Sequence, residues 1–223
     1  MTISSSAPSI KELSLVLQQY SVEIDDSQLP ALCRYCELLW RWNTKLNLTR
    51  HTDLNAFVTR DLIDSLRLSR HIPADQSVLD VGSGGGVPGI ILAVTRPDMA
   101  VSLAESVAKK AKALSSITKK MKLNLPVHAS RAEDVLKKKS FDVMTIRAVA
   151  SLRKLLFWFQ KKPDAFGQML LIKGPRWVEE QKEAEEEGLL TNAIVEKIDE
   201  YATPGHDNNS VILSVRFKPS PAN

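Results

Sequence analysis

Asp80-Val81-Gly82-Ser83-Gly84-Gly85-Gly86-Val87-Pro88-Gly89 is the segment from which the architecture can be worked out. Behind it, Ser77–Val81 is a short apolar run that reads as a buried strand. Ahead of it, Pro88–Thr95 has a helical pattern. Strand, glycine turn and helix together open a βαβ unit. Glycines let the chain turn tightly and let a ligand lie directly on backbone N–H groups. A turn this rich in glycine is costly without a ligand. Pro88 suits the first helical position, where its missing N–H would be unpaired anyway. No Lys-Ser or Lys-Thr follows the glycines, which excludes a P-loop. Two ligands remain open. Gly84, Gly86 and Gly89 spell the dinucleotide pattern, whereas Gly82, Gly84 and Gly86 after a strand-end acid suit S-adenosylmethionine. Either would use an acid at the end of the second strand for its ribose hydroxyls, and Glu105 stands there.

Downstream, strand-like runs at 100–104, 127–129, 141–146 and 168–173 alternate with helical patterns at 107–123 and 152–160. Such alternation predicts a parallel sheet with helices on both faces, and right-handed crossovers make it doubly wound. An acidic helix at 177–187 precedes two further runs, 193–201 and 210–217. The Pro-Gly-His-Asp-Asn-Asn turn between them predicts an antiparallel hairpin. The expectation is an α/β fold with a mostly parallel seven-stranded sheet closed by that hairpin. The hairpin leaves no room for a second βαβ half to receive a nicotinamide, which tilts the ligand toward the methyl donor. Upstream, the first seventy residues read as helices: a capping box at Ser9 and Glu12, a helix from Asp26 or Ser27, and another from about 53 to 70. The chain thus divides into a helical extension at 1–72, a ligand-binding domain at 73–219 and a tail at 220–223.

The 223 residues are 43% hydrophobic and 25% charged, near the globular average, which excludes a disordered or fibrous chain. The net charge of +4 is a mild bias toward anionic partners. Cys33 and Cys36 lie in an apolar helical stripe and read as core thiols, since one C-x-x-C lacks the second ligand pair of a structural zinc site. The four histidines form no metal pattern. The start has neither a basic n-region nor an apolar h-region, and no apolar run spans a bilayer. A cytoplasmic protein with no metal and no membrane contact is the expectation, with a monomer favoured.

Several other residues could carry chemistry. Ala132 and Glu133 follow the third strand, where an adenine ring would lie or where an ordinary helix would start. Arg147 ends the fourth strand and could hold a carboxylate or phosphate with two parallel hydrogen bonds, or lie on the surface. Lys173 ends the fifth strand, as a phosphate contact or a solvated turn. The Trp40–Thr49 segment, with Lys45 and Asn47, mixes aromatic, basic and amide groups as base-stacking surfaces do, although core tryptophans explain it as well. The lysines of 109–122 read mainly as a solvated helix face. No Ser-His-Asp or Cys-His set is evident.

Taken together, W-N-x-K-x-N-L-T at 42–49, R-x-x-x-D-S at 60–65, the glycine segment at 80–89, S-R-A-E-D at 130–134, R-A-V-A-S-L at 147–152 and K-G at 173–174 resemble the RsmG (GidB) family of ribosomal RNA small-subunit methyltransferases. The resemblance runs from about residue 30 to 217. It implies a class I, Rossmann-like methyltransferase fold with its helical extension on the RNA side. It also implies transfer of a methyl group from S-adenosylmethionine to N7 of one guanine in a 16S rRNA loop, on naked RNA or on the small subunit. By position, Gly82, Gly84, Gly86 and Val87 would line the cofactor turn. Glu105 would hold the ribose, Ala132 and Glu133 would border the adenine, and Arg147 would sit at the cofactor or target edge as the candidate catalytic group. Arg60, Lys173, Asn47 and Lys45 would face RNA. Two positions depart from the pattern: Asp61 stands where His is usual, and Asn209-Ser210 where a basic residue is common. An NAD-dependent oxidoreductase and a non-catalytic RNA-binding module are the alternatives.

Overall fold

The computed structural model describes residues 7–205 and 207–218; the predicted tail at 220–223 lies outside them. Helix α1 (Ile10–Gln19) begins at the expected capping box. Ser9 Oγ accepts from the Glu12 N–H, and the Glu12 carboxylate accepts from the Ser9 N–H. A 3₁₀ turn at Asp26–Gln28 leads into α2 (Leu29–Asn43), with Pro30 in its first turn. The single helix expected at 53–70 has three parts: α3 (Leu54–Ala56), a π segment (Phe57–Leu62) and α4 (Ile63–Ser69).

Seven strands form one sheet: β1 (Ser77–Val81), β2 (Ala100–Ala104), β3 (Val127–His128), β4 (Phe141–Arg147), β5 (Phe166–Lys173), β6 (Ala193–Ala202) and β7 (Asn209–Phe217). Their order is β3-β2-β1-β4-β5-β7-β6. The first five are parallel, and the closing hairpin is antiparallel to β5 and within itself, with an irregularity between Lys197 and Asp199. Successive strands build outward from β1 to β3, then β4 returns to the other side of β1. The switch point therefore lies between β1 and β4, where crossovers diverge and open a crevice at the carboxyl ends of the strands.

Alternation along the strands divides the core in two. One set (Val78, Leu103, Val143, Leu170 and Ile212 among them) packs against α1, α2, the 54–69 helix, α5 (Gly89–Thr95) and α6 (Ala108–Lys120). The other, with Leu79, Met144, Leu171 and Leu213, packs against α7 (Ala132–Val135), α8 (Leu152–Phe159) and α9 (Trp177–Glu186). The N-terminal helices thus share one continuous core with the sheet. Cys33 and Cys36 are buried in it as free thiols, and burial pushes both thiols up, as suits inert core residues.

Candidate functional site

The glycine turn leaves β1 with three residues in the left-handed region: Gly82 at φ 66°, Gly84 at 55° and Gly86 at 104°. The glycines are needed for different reasons. A Cβ on Gly82 would lie 2.7 Å from Val149 Cγ2. On Gly86 it would meet Ile90 Cδ1 at 2.5 Å, and on Gly89 Leu103 Cδ2 at 2.3 Å. On Gly84 the nearest atom would be 3.7 Å away, so that position faces open space. Asp80 is fully buried beneath the turn and fastens its two ends. Its carboxylate accepts from the Gly89 N–H at 3.2 Å and the Thr145 hydroxyl at 3.1 Å, and its carbonyl accepts from Ser83 Oγ. Burial pushes the Asp80 carboxyl up to about 7 despite those hydrogen bonds. On the helical side, the Tyr35 hydroxyl donates to the Gly85 carbonyl at 2.9 Å.

Glu105 stands past the end of β2 as expected and is 5% exposed. One carboxylate oxygen accepts from the Gly84 N–H at 2.9 Å and the other from the Val107 N–H at 2.7 Å, so the acid shapes the turn as well as facing the crevice. Each oxygen keeps a second lone pair for a ribose hydroxyl. Beside it opens a cleft of ≈ 200 Å³ lined by Gly82, Ser106, Ala132, Glu133, Val149 and Trp158, among others. This is below the roughly 300–1,000 Å³ of pockets that enclose a whole drug-sized ligand, so it suits one end of an elongated one. A cleft with apolar walls at Ala132, Val149 and Trp158, an acid for hydroxyls and a turn with room over Gly84 fit the adenosine part of S-adenosylmethionine. Among the described residues no group of three or more His, Cys, Asp or Glu is placed to hold a metal.

Arg147 ends β4 as expected, but its guanidinium turns toward the N-terminal helices. Nη1 pairs with Asp61 at 2.7 Å, Nε with Asp64 at 3.0 Å, and Nη2 donates to the Arg60 carbonyl at 3.3 Å. Burial would lower its pKa, but the two carboxylates outweigh that and hold it charged. Asp61 also meets His51 Nδ1 at 2.8 Å, and its Oδ2 is buried without a partner. Asp64 accepts from the Tyr201 hydroxyl at 2.8 Å; burial raises its carboxyl while Arg147 opposes the rise. The two parallel hydrogen bonds to a single acid expected of Arg147 are not formed; it makes one contact to each of two carboxylates of its own chain.

Lys173 also turns inward. Its Nζ donates to the Ala150 carbonyl and pairs with Glu180 at 2.7 Å, and Glu180 in turn accepts from the Leu152 N–H at the start of α8. Lys45 and Asn47 are exposed, on a loop folded by the Asn43 side chain, which accepts from the Leu48 and Thr49 N–H groups. Arg60 is half-buried, on the π segment beside Asp61. Asn209 donates to Glu200, and Ser210 and Thr203 share a hydrogen bond, so both are occupied within the hairpin. The structure thus groups Gly82, Gly84, Gly86, Ala132, Glu133 and Glu105 around one crevice, with Val87 in the adjoining turn. Tyr35 and Trp158 escaped the sequence reading, and Asp61 and Asp64, though within its motifs, were not read as partners of Arg147. Tyr35 sits within an apolar helix stripe, and its partner Gly85 is fifty residues away.

A family model described as "rRNA small subunit methyltransferase G" matches residues 28–210. A protein of that name from Rhodopirellula baltica is 46% identical over 179 residues, covering 80% of this chain and 78% of the relative. Another, from Pseudomonas entomophila, is 35% identical over 93% of this chain and 95% of the relative. Among solved structures, M. capricolum TrmK in complex with S-adenosyl-homocysteine superposes with a TM-score of 0.54 at 11% identity, covering 71% of each chain. A variant of MtNAS in complex with S-adenosylmethionine gives 0.54 at 16% identity, over 93% of this chain and 78% of that one. These structural likenesses concern the fold.

Proposed function

Because the chain belongs to the rRNA small subunit methyltransferase G family, we propose that it methylates N7 of one guanine of 16S rRNA from the crevice over Gly82–Gly86. It is an S-adenosylmethionine-dependent rRNA methyltransferase, and the oxidoreductase reading is not favoured. The observation that carries the placement of the site is the glycine turn at the switch point, flanked by Glu105 and the cleft at Ala132 and Glu133.

In this reading Glu105 accepts from the ribose hydroxyls while keeping the Gly84 and Val107 amides in place. Ala132, Glu133 and Trp158 enclose the adenine. Gly84 leaves room for the ligand to lie on the backbone. When bound, S-adenosylmethionine supplies a sulfonium methyl, which passes to N7 as the sulfur keeps the bonding pair. Guanine N7 has a lone pair and no proton, so no side chain needs to act as a base. The work of the chain is alignment, which can lower a barrier by about 7–11 kcal/mol. Arg147 is a positioning residue that holds the 54–69 helix against the end of β4. Arg60, Lys45 and Asn47 stand on the RNA side; Lys173 does not, because Glu180 occupies it. The target base must be unstacked to reach a recessed methyl, which suits a looped strand. The cytoplasm, where rRNA is made in a bacterial cell, is the compartment that suits this reaction.

Mapping by mass spectrometry the nucleotide modified after incubation with methyl donor and unmethylated small-subunit rRNA tests the proposal. One N7-methylated guanine is expected. Modification at another ring atom, or none with the donor bound, would overturn it.

A further inference from the structure

Helix α6 follows β2 out of the crevice: Ser106 lines the cleft and the helix begins at Ala108. Between Ser106 and Pro126 there are six lysines and no Asp or Glu. The helix turns Ala111, Leu114 and Ile117 into the core. Lys109, Lys112, Lys119 and Lys120 are exposed, and with Ser116 they form one stripe at helical spacing. At its N-terminal end the arrangement works against the helix, whereas Lys119 and Lys120 in the last turn suit the dipole. Lys109 and Lys110 stand in the first turn, where cations oppose the helix dipole, and there is no first-turn acid and no side-chain cap. Lys109 and Lys112 are like charges at i,i+3. Local rules broken without a gain to the fold mark functional positions.

The rest of the molecule sharpens the contrast. Residues 106–139, on the β3 side of the sheet, carry ten Lys and Arg against two acids. Residues 177–200, in α9 and β6 at the other edge, carry nine acids against two lysines. None of the α6 lysines shares an ion pair among the described residues, whereas Lys173, Lys182, Lys197 and Arg216 toward the opposite edge all do. Lys137 pairs with Asp134 at this edge, but the α6 lysines are left to meet an outside polyanion.

We propose that Lys109, Lys112, Lys119 and Lys120 form a phosphate track that seats the rRNA strand running away from the target base, with the acidic α9–β6 edge turned from the RNA. The inference rests on the reading of the chain as an rRNA methyltransferase and adds the surface that holds the substrate. The 13-residue helix is about 20 Å long, enough for roughly six phosphates at about 3.4 Å of rise per nucleotide. Its upper end adjoins the cofactor cleft, so a strand on the track leads to the crevice.

The test combines Lys109→Gln, Lys112→Gln, Lys119→Gln and Lys120→Gln in one variant. Its binding to a 16S rRNA transcript is followed across a salt series, beside wild type and a control carrying Lys161→Gln and Lys162→Gln. The expected result is RNA affinity weaker by at least about tenfold, with a log K against log salt slope shallower by roughly three, from about 0.7–0.9 per lost phosphate contact. S-adenosylmethionine affinity should match wild type, and KM for RNA should rise while kcat at saturating RNA is kept. An unchanged salt slope and KM, or an equal loss in the control, would overturn the track. The binding readout decides the track whether or not methyl is transferred; failure of wild type to methylate rRNA counts against the proposed function alone.

Discussion

Gly84 and Gly89 lie in the same turn yet answer to different constraints. A Cβ on Gly89 would drive into Leu103 and to 2.8 Å from Asp80 Cβ, so Gly89→Ala should destabilise the fold by about 1–3 kcal/mol. Gly84 has open space and φ 55°, a conformation that Asn tolerates, so Gly84→Asn should fold normally and fill the ligand's place. Urea unfolding should separate the two variants in stability. Equilibrium dialysis should show Gly84→Asn binding S-adenosylmethionine at least about tenfold more weakly, about 1.4 kcal/mol. Asp80 beneath the turn has a pH signature. Burial pushes its carboxyl from the ordinary 3.8 up to about 7 in the folded chain, so the folded state holds an extra proton between those values. The contribution of Asp80 to stability therefore falls as pH rises from about 4 to 7, and Asp80→Asn should remove that component of the pH slope in urea titrations. Gly82, Gly84 and Glu105 were legible in the sequence because their roles follow from local spacing after a strand. Asp61 was legible only as a departure from a pattern, since its partners His51 and Arg147 are brought to it by tertiary packing.

The helical stretch 54–69 has an apolar period that reads as one uniform helix, and nothing local in it announces the π segment at Phe57–Leu62. Segments of this kind are frequent at functional sites. Here the segment carries Arg60 and Asp61, and with Asp64 one turn later it presents two carboxylates to Arg147. The pairing fastens the helix to the end of β4. Arg147→Ala would strip two buried carboxylates of their shared guanidinium, leaving them only His51 and the Tyr201 hydroxyl, and should cost about 3–5 kcal/mol in urea unfolding, with much of the loss recovered when Asp61→Asn and Asp64→Asn are added. Activity lost by Arg147→Ala should therefore follow the stability loss. The strands and the closing hairpin were found within about two residues, because alternation and turn chemistry are local. Lys173 shows the limit of such reasoning: a basic residue at a strand end gives no sign of whether an acid from the next helix will take it up, as Glu180 does.

At the scale of the molecule, the strand order was deducible only as a class, since right-handed crossovers restrict the topology without naming neighbours. The seam expected near residue 72 is spanned by a shared core: Leu13, Leu32, Phe57 and Leu68 pack in one cluster with Val78, Leu103 and Leu170. A chain beginning at residue 73 would expose that face of the sheet and lose both acids facing Arg147. It should fail to give a cooperative unfolding transition by circular dichroism, whereas the full chain should give one. The sheet's two margins complete the picture. β3 contributes only two residues, and β6 bears Glu196, Lys197, Asp199 and Glu200 beside its irregular register. A stranger's backbone finds too little length to zip onto at one margin and repelling side chains at the other, so concentrated solutions of this protein should resist fibre growth without a chaperone's help.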